Sequence, residues 1–167
     1  SIAGLLSEEA ELEPSQERAA RLDLYAAAIL SERLDDRARA VALLERATKR
    51  PHADPVVHRM VLDAIVRLRE REGNFEAARE ARRARLSHMR DPALRAHEHR
   101  TLARVSERID DREGAILETT SALAIDPNDA TLAEALDRLF AAAGLHEQRV
   151  SFWNNEAARH DEPAKRG

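Results

Sequence analysis

The sequence predicts an all-α fold: an α-solenoid or superhelix of antiparallel helix pairs, about nine helices in all. Three observations predict it. The first is composition, with 32 alanines set among Glu, Arg and Leu in 167 residues and only five glycines and five aromatic side chains, a mixture that favours helix nearly everywhere. The second is internal repetition. Segments 35–40, 73–78, 110–115 and 144–149 each open on Asp or Gly and lead into helically spaced apolar residues, with their sixth positions 38, 37 and 34 residues apart. The third is pairing. Ala28, Val66 and Ala103 stand twelve residues before the small residues Ala40, Ala78 and Ala115, which sets two amphipathic helices back to back in each unit.

The elements follow in order. Leu5, Leu6 and Leu12 give a helix over 2–12. A helix over 15–33 carries Ala28, and the turn Asp35-Asp36 leads into a helix over 36–50 through Ala40-Val41-Ala42-Leu43-Leu44. Pro51 and Pro55 mark a stop and a restart, because proline cannot continue a helix but is accepted in its first turn. The helix over 55–71 holds Val66, and Gly73-Asn74 turns the chain into a helix over 74–89. Pro92 opens a helix over 92–108, and Asp110-Asp111 leads into one over 111–125. The stretch Ile125-Asp126-Pro127-Asn128-Asp129 precedes a helix over 129–142. Gly144 precedes the last, over 145–159, whose pair Phe152-Trp153 requires apolar surface to bury against. We expect one domain over 1–167, with units at 1–13 (partial), 15–54, 55–91, 92–128 and 129–160. Residues 1–13 read as the second helix of a truncated unit, making the chain a piece of a longer protein.

With no cysteine, a disulfide scaffold, a thiolate zinc site and a cysteine nucleophile are excluded. No window approaches the roughly 20 apolar residues that cross a bilayer, and no charged start is followed by an apolar stretch with a cleavage site; any targeting signal would lie outside this piece. The expected location is the cytoplasm, with no membrane partner. Seven histidines are the first candidates for metal or acid–base chemistry. His97 and His99, two apart on one helix, point about 200° from each other and are poor joint ligands. His146-Glu147 lacks the second histidine of a metalloprotease helix, and His52, His88 and His160 fall near helix C-termini, where a cation suits the dipole. There is no glycine-rich phosphate loop and no nucleophile elbow. No catalytic, cofactor-binding or metal-binding residue is assigned, and no enzymatic role is expected.

Charge is distributed unevenly. It sums to −6 over residues 1–36, +8 over 37–106, −7 over 107–137 and +1 over 138–167, and Lys49 and Lys165 are the only lysines. Arginine offers planar, bidentate recognition of carboxylate or phosphate.

Taken together, the period, the turn residues and the paired small residues resemble the tetratricopeptide repeat family, in the degenerate form of bacterial repeats. Residues 96–129 match best, through Ala103, Asp110-Asp111, Ala115, Ala122-Leu123 and Pro127; residues 59–92 and 21–54 match less fully, with Arg85 in a slot usually held by alanine. The fourth unit departs most, since Asp137 and Arg149 stand where small residues should face each other. The resemblance implies a TPR-like protein-binding scaffold whose groove is lined by the first helix of each pair. Its groove positions fall on Leu22, Tyr25, Ile29, Glu32 and Arg33, then on Met60, Asp63, Arg67, Glu70 and Arg71. The third and fourth units contribute His97, Arg100, Arg104, Glu107 and Arg108, and Thr131, Glu134, Arg138, Ala141 and Ala142. The candidate partner-binding residues are therefore Tyr25, Ile29, Arg67, Arg71, Arg100, Arg104, Arg108 and Arg138, with Arg67, Arg104 and Arg138 as a ladder and Leu22, Tyr25 and Ile29 as an apolar patch. The family's chaperone-binding clamp is not expected, because no lysine or asparagine occurs on these helices.

The reading is thus a protein-interaction scaffold that takes a partner segment, acidic in character, in a concave, partly Arg-lined groove. An electrostatic nucleic-acid binder built on the +8 segment is the alternative; the net charge of −4 and the few aromatics weigh against it. A module that stacks with other repeats is the third possibility.

Overall fold

A computed structural model describes residues 1–50 and 54–161, with the side chains of His160 and Asp161 left aside. Pro51 and His52, and the side chain of His160, lie outside the described residues. Among the described residues the protein is all-α, with nine helices and no strand: α1 Ile2–Leu12, α2 Gln16–Arg33, α3 Arg37–Thr48, α4 Pro55–Arg71, α5 Phe75–Leu86, α6 Pro92–Arg108, α7 Arg112–Ile125, α8 Ala130–Ala142 and α9 His146–Asp161. Most expected starts precede the observed ones by one residue because they count the N-cap. Ser15, Asp36, Asn74, Asp111 and Asp129 each accept a hydrogen bond from the first turn of the helix that follows. Helices α3 and α5 end two and three residues before the expected 50 and 89, where i+3 bonds from Arg50 to Ala47 and from Met89 to Leu86 tighten the last turn.

The chain forms two compact units, Ser1–Arg90 and Asp91–Gly167. Within each unit, successive helices pack against each other in antiparallel pairs.

The turn inside each pair follows one plan, with a left-handed residue and a long backbone closure in all four. Asp35, Gly73, Asp110 and Gly144 all take the left-handed conformation, with φ of 51°, 73°, 57° and 70°. The following amide donates back to a carbonyl five residues earlier in three of them, Asn74 to Arg69, Asp111 to Ser106 and Leu145 to Phe140, and six residues earlier in the first, Asp36 to Leu30, each at 2.9 Å. This is a Schellman-type closure, which satisfies a carbonyl that the helix end leaves open. In the first three turns the same donor residue then caps the next helix. Between pairs, Asp54 and Asp91 cap α4 and α6, each followed by a proline in the first turn.

In the first unit the core gathers Leu30, Leu44, Val61 and Ile65 around Ala20, Ala27, Ala40 and Ala47, all buried. The alanines allow close approach of helices, while the branched residues supply the buried apolar area. In the second unit Leu132, Leu136 and Phe140 pack with Ala122 and Leu123, and Phe152 of α9 joins them, its ring 6.2 Å from that of Phe140. Phe152 therefore finds the apolar surface its position required. Trp153 does not share it and stays 43% exposed.

Candidate functional site

Helices α2 and α4 are the first members of consecutive pairs in the first unit. Both run in the same direction, because α3 returns the chain between them, and they pack against each other. Their shared face carries a cleft of about 90 Å³, floored by Leu24, Ala27, Leu44, Ala64 and Leu68 and rimmed by Ser31, Glu32, Arg67 and Arg71. Arg67 and Arg71 lie one helical turn apart and are exposed, and among the described residues neither has a hydrogen-bond or ion-pair partner. Glu32 is likewise exposed and unpaired among the described residues. Toward the N-terminal ends of the same helices, Tyr25 is 62% exposed, with Val56 and Met60 about half exposed. Ile29 is half-buried and packs against the core. It is therefore less open than Tyr25 as an apolar anchor.

The other candidate arginines lie in the second unit, on α6 and α8. Arg104 is exposed with no partner among the described residues. Arg100 is engaged, donating from Nη2 to Asp126 at 3.0 Å and to Asp129 at 2.7 Å. Arg138 donates to both oxygens of Glu107 at 2.9 and 3.1 Å, and that bond raises its pKa above the ordinary guanidinium value. Arg108 is exposed and has a partner. Of the carboxylates that the sequence placed near the arginines, Glu107 takes Arg138. Glu70 instead takes Arg82 of α5, at 2.6 and 3.1 Å. Of the six candidate arginines, Arg67, Arg71 and Arg104 have no partner among the described residues.

Several polar groups are committed inside the units. Asp23, fully buried on α2, accepts from Arg46 and, at 3.0 Å, from Arg50 of α3. Those two guanidiniums also hold α1: Arg46 donates to Glu11 at 2.6 Å and to the Ser7 hydroxyl at 3.0 Å, and Arg50 to the Ala10 carbonyl at 3.1 Å. In the second unit the buried His99 has Nδ1 2.8 Å from Glu118, whereas His97 faces solvent. The two histidines therefore lie on opposite sides of α6. His88 lies two residues beyond the end of α5, and its ring meets that of His58 at a centroid distance of 4.9 Å. Sequence reasoning passed over the Asp23 and His99 pairs. Their signal was an acidic or imidazole group at a position whose helical neighbours, such as Ala19, Ala20, Ala26 and Ala27, all face inward.

Among the described residues no helix is long and apolar enough to cross a membrane, and no cluster of three or more His, Asp or Glu side chains is arranged to hold a metal ion. No family model matches the chain, and no curated protein matches it. Among solved structures, two crystal structures of MamA are similar. One is 12% identical with a TM-score of 0.49, covering 98% of this chain and 89% of the other; the second is 10% identical with a TM-score of 0.48, covering 98% and 94%.

Proposed function

We propose that the chain is a protein-interaction scaffold that takes a partner segment on the exposed faces of the first helices of its pairs, with the arginines on those faces contributing to recognition. The observation that supports this most is the pair Arg67 and Arg71. They stay solvated and unpaired among the described residues beside an apolar-floored cleft, whereas the guanidiniums of Arg46, Arg85, Arg82, Arg138 and Arg149 are engaged at Asp23, Asp63, Glu70, Glu107 and Asp137. An arginine left solvated next to apolar surface can still offer its whole donor fork to an incoming carboxylate.

The test is a pull-down with the full-length protein, comparing wild type with R67A/R104A. A protein partner retained by wild type and lost from the variant is the expected result, with helix content unchanged because both positions face solvent. Retention of the same partner by the variant moves the interaction surface elsewhere. Retention of nucleic acid alone, abolished by nuclease and by the variant, replaces this reading with an electrostatic nucleic-acid binder.

A further inference from the structure

The α2/α4 face is not uniform along its length. On α4 the exposed positions Val56, Met60, Arg67 and Arg71 are spaced four, seven and four residues apart, which puts them on one stripe. On α2, Tyr25 and Glu32 are seven apart and share a stripe in the same way. Glu32, Arg67 and Arg71 line one cleft, so the C-terminal halves of the two stripes face the same side. Because α2 and α4 run parallel, the N-terminal halves coincide too. One end of the face is then apolar, through Tyr25, Val56 and Met60; the other carries two free cations and one free carboxylate, a net charge of +1. Each of the three apolar side chains is about half exposed or more, and exposed large side chains grouped in this way mark interaction surface.

We infer that this face selects an extended peptide segment carrying an apolar side chain and a carboxylate at a set separation, the apolar side chain placed against Tyr25 and Met60 and the carboxylate held by Arg67 and Arg71. The inference rests on the reading of the protein as an interaction scaffold and adds the chemistry of what is bound. Charge complementarity commits the occupant. Two unpaired guanidiniums one turn apart match a single carboxylate or an acidic pair, whereas Glu32 on the opposite rim disfavours a run of several acids and disfavours a polyanion. The span sets the spacing. Met60 and Arg71 are separated by roughly 16 Å along the helix at about 1.5 Å per residue, which an extended chain crosses in about five residues. Nothing fixes the chain direction, because the contacts are made by side chains.

The experiment uses the full chain and a synthetic array of peptides. Each peptide carries two apolar residues and two acidic residues separated by one to eight Ser or Gly, in both orders, and each has a counterpart with Gln or Asn in place of the acids. The expected result is strongest binding at separations of about three to five residues, with the amide counterparts at least about tenfold weaker. The R67Q/R71Q protein loses that preference for acid over amide, and the Y25S/M60S protein loses the preference for apolar residues, both with unchanged circular dichroism. Equal binding of acidic and amide peptides, no dependence on separation, or insensitivity to both variants overturns the inference. So does an array with no binder. An oligothymidylate that binds more tightly than any peptide and is lost in R67Q/R71Q overturns it in favour of a polyanion. If the array fails while R67A/R104A still loses its protein partner in the pull-down, the peptide chemistry falls and the scaffold reading stands; if both fail, both fall.

Discussion

Arg149 grips both carboxylate oxygens of Asp137, at 2.5 and 2.8 Å, and the Trp153 indole nitrogen donates to the same carboxylate at 2.6 Å. The equivalent positions of the other three units hold Ala28 with Ala40, Val66 with Ala78, and Ala103 with Ala115. An ion pair thus stands where the other units carry alanine or valine, and it is partly open to water, with Arg149 42% exposed; Ala28 is itself exposed and lines the α2/α4 cleft, so the contact with Ala40 that the sequence implied is not what fixes that pair. The hydrogen bonds from Arg149 and then Trp153 hold the Asp137 pKa below its ordinary value. A carboxyl whose pKa is depressed on folding adds stability that is present above its unfolded value and fades as pH falls through the folded one. We predict that D137A lowers the melting temperature of the second unit at neutral pH, because it strands Arg149, and that the effect shrinks in acid. The double variant D137A/R149A, which restores the small pair, should recover part of the loss. A double-mutant cycle with no coupling removes the pair from the account of how α9 docks.

The four left-handed turns make a second, opposed pair of predictions. Gly73 takes φ of 73° with nothing within 4 Å of where a Cβ would sit, so G73A carries only backbone strain and should cost about 1 kcal/mol. Asp110 pays part of that cost already, at φ of 57°, and its exposed pair with Arg112 at 3.5 Å adds little. D110G should therefore stabilise by about 0.5 kcal/mol, the relief of strain outweighing the greater freedom of glycine in the unfolded chain. Urea midpoints for the two variants moving in the same direction would contradict this.

These turns also show what was legible in the sequence. The repeat register, the turn residues at 35, 73, 110 and 144, and the prolines that reopen helices are local features, written in residues that act where they stand. Which arginine is free is not local. Arg67 and Arg138 occupy the same position of their repeats, yet Arg138 meets Glu107 on the preceding first helix, while Glu32, the equivalent carboxylate for Arg67, lines the same cleft without pairing with it, and Glu70 is taken by Arg82 of the next helix. Side-chain reach and the competition among neighbours decide this, and helical spacing encodes neither. The burial of Asp23 was hidden for the same reason, because its two partners lie 23 and 27 residues away.

That burial carries a prediction of its own. Asp23 is fully enclosed, and its partners Arg46 and Arg50 are 29% and 13% exposed. Removing the carboxylate leaves two guanidiniums partly desolvated and facing each other. D23A should destabilise the first unit by about 3 kcal/mol, the lower end for breaking a buried pair, since both arginines can still reach water. Arg46 and Arg50 also hold Ser7, Ala10 and Glu11, so the loss should appear first in α1. Hydrogen exchange of the α1 amides should accelerate before that of α4 or α5. Uniform acceleration across the unit would show that α1 is held by its apolar contacts instead.

The last prediction concerns acid. His58 of α4 is half-buried, and His88 stacks edge-on against it at 4.9 Å. Burial first, and then the charge of His88, lower the His58 pKa from its ordinary value of 6.5. Between the lowered folded value and 6.5, the unfolded chain binds more protons at this site than the folded one, so folding stability rises with pH across that interval. The contribution is complete above the unfolded value and is lost as pH falls below it. We predict that the first unit melts at a lower temperature at pH 5 than at pH 7.5. H88Q removes the neighbouring cation, raises the folded His58 pKa and reduces this difference, whereas H58Q abolishes the His58 share. The direct check is the NMR titration of the His58 ring in wild type and H88Q. A wild-type ring that titrates at or above 6.5, or one that does not move in H88Q, would assign the acid sensitivity to other groups and leave the His58–His88 contact as packing alone.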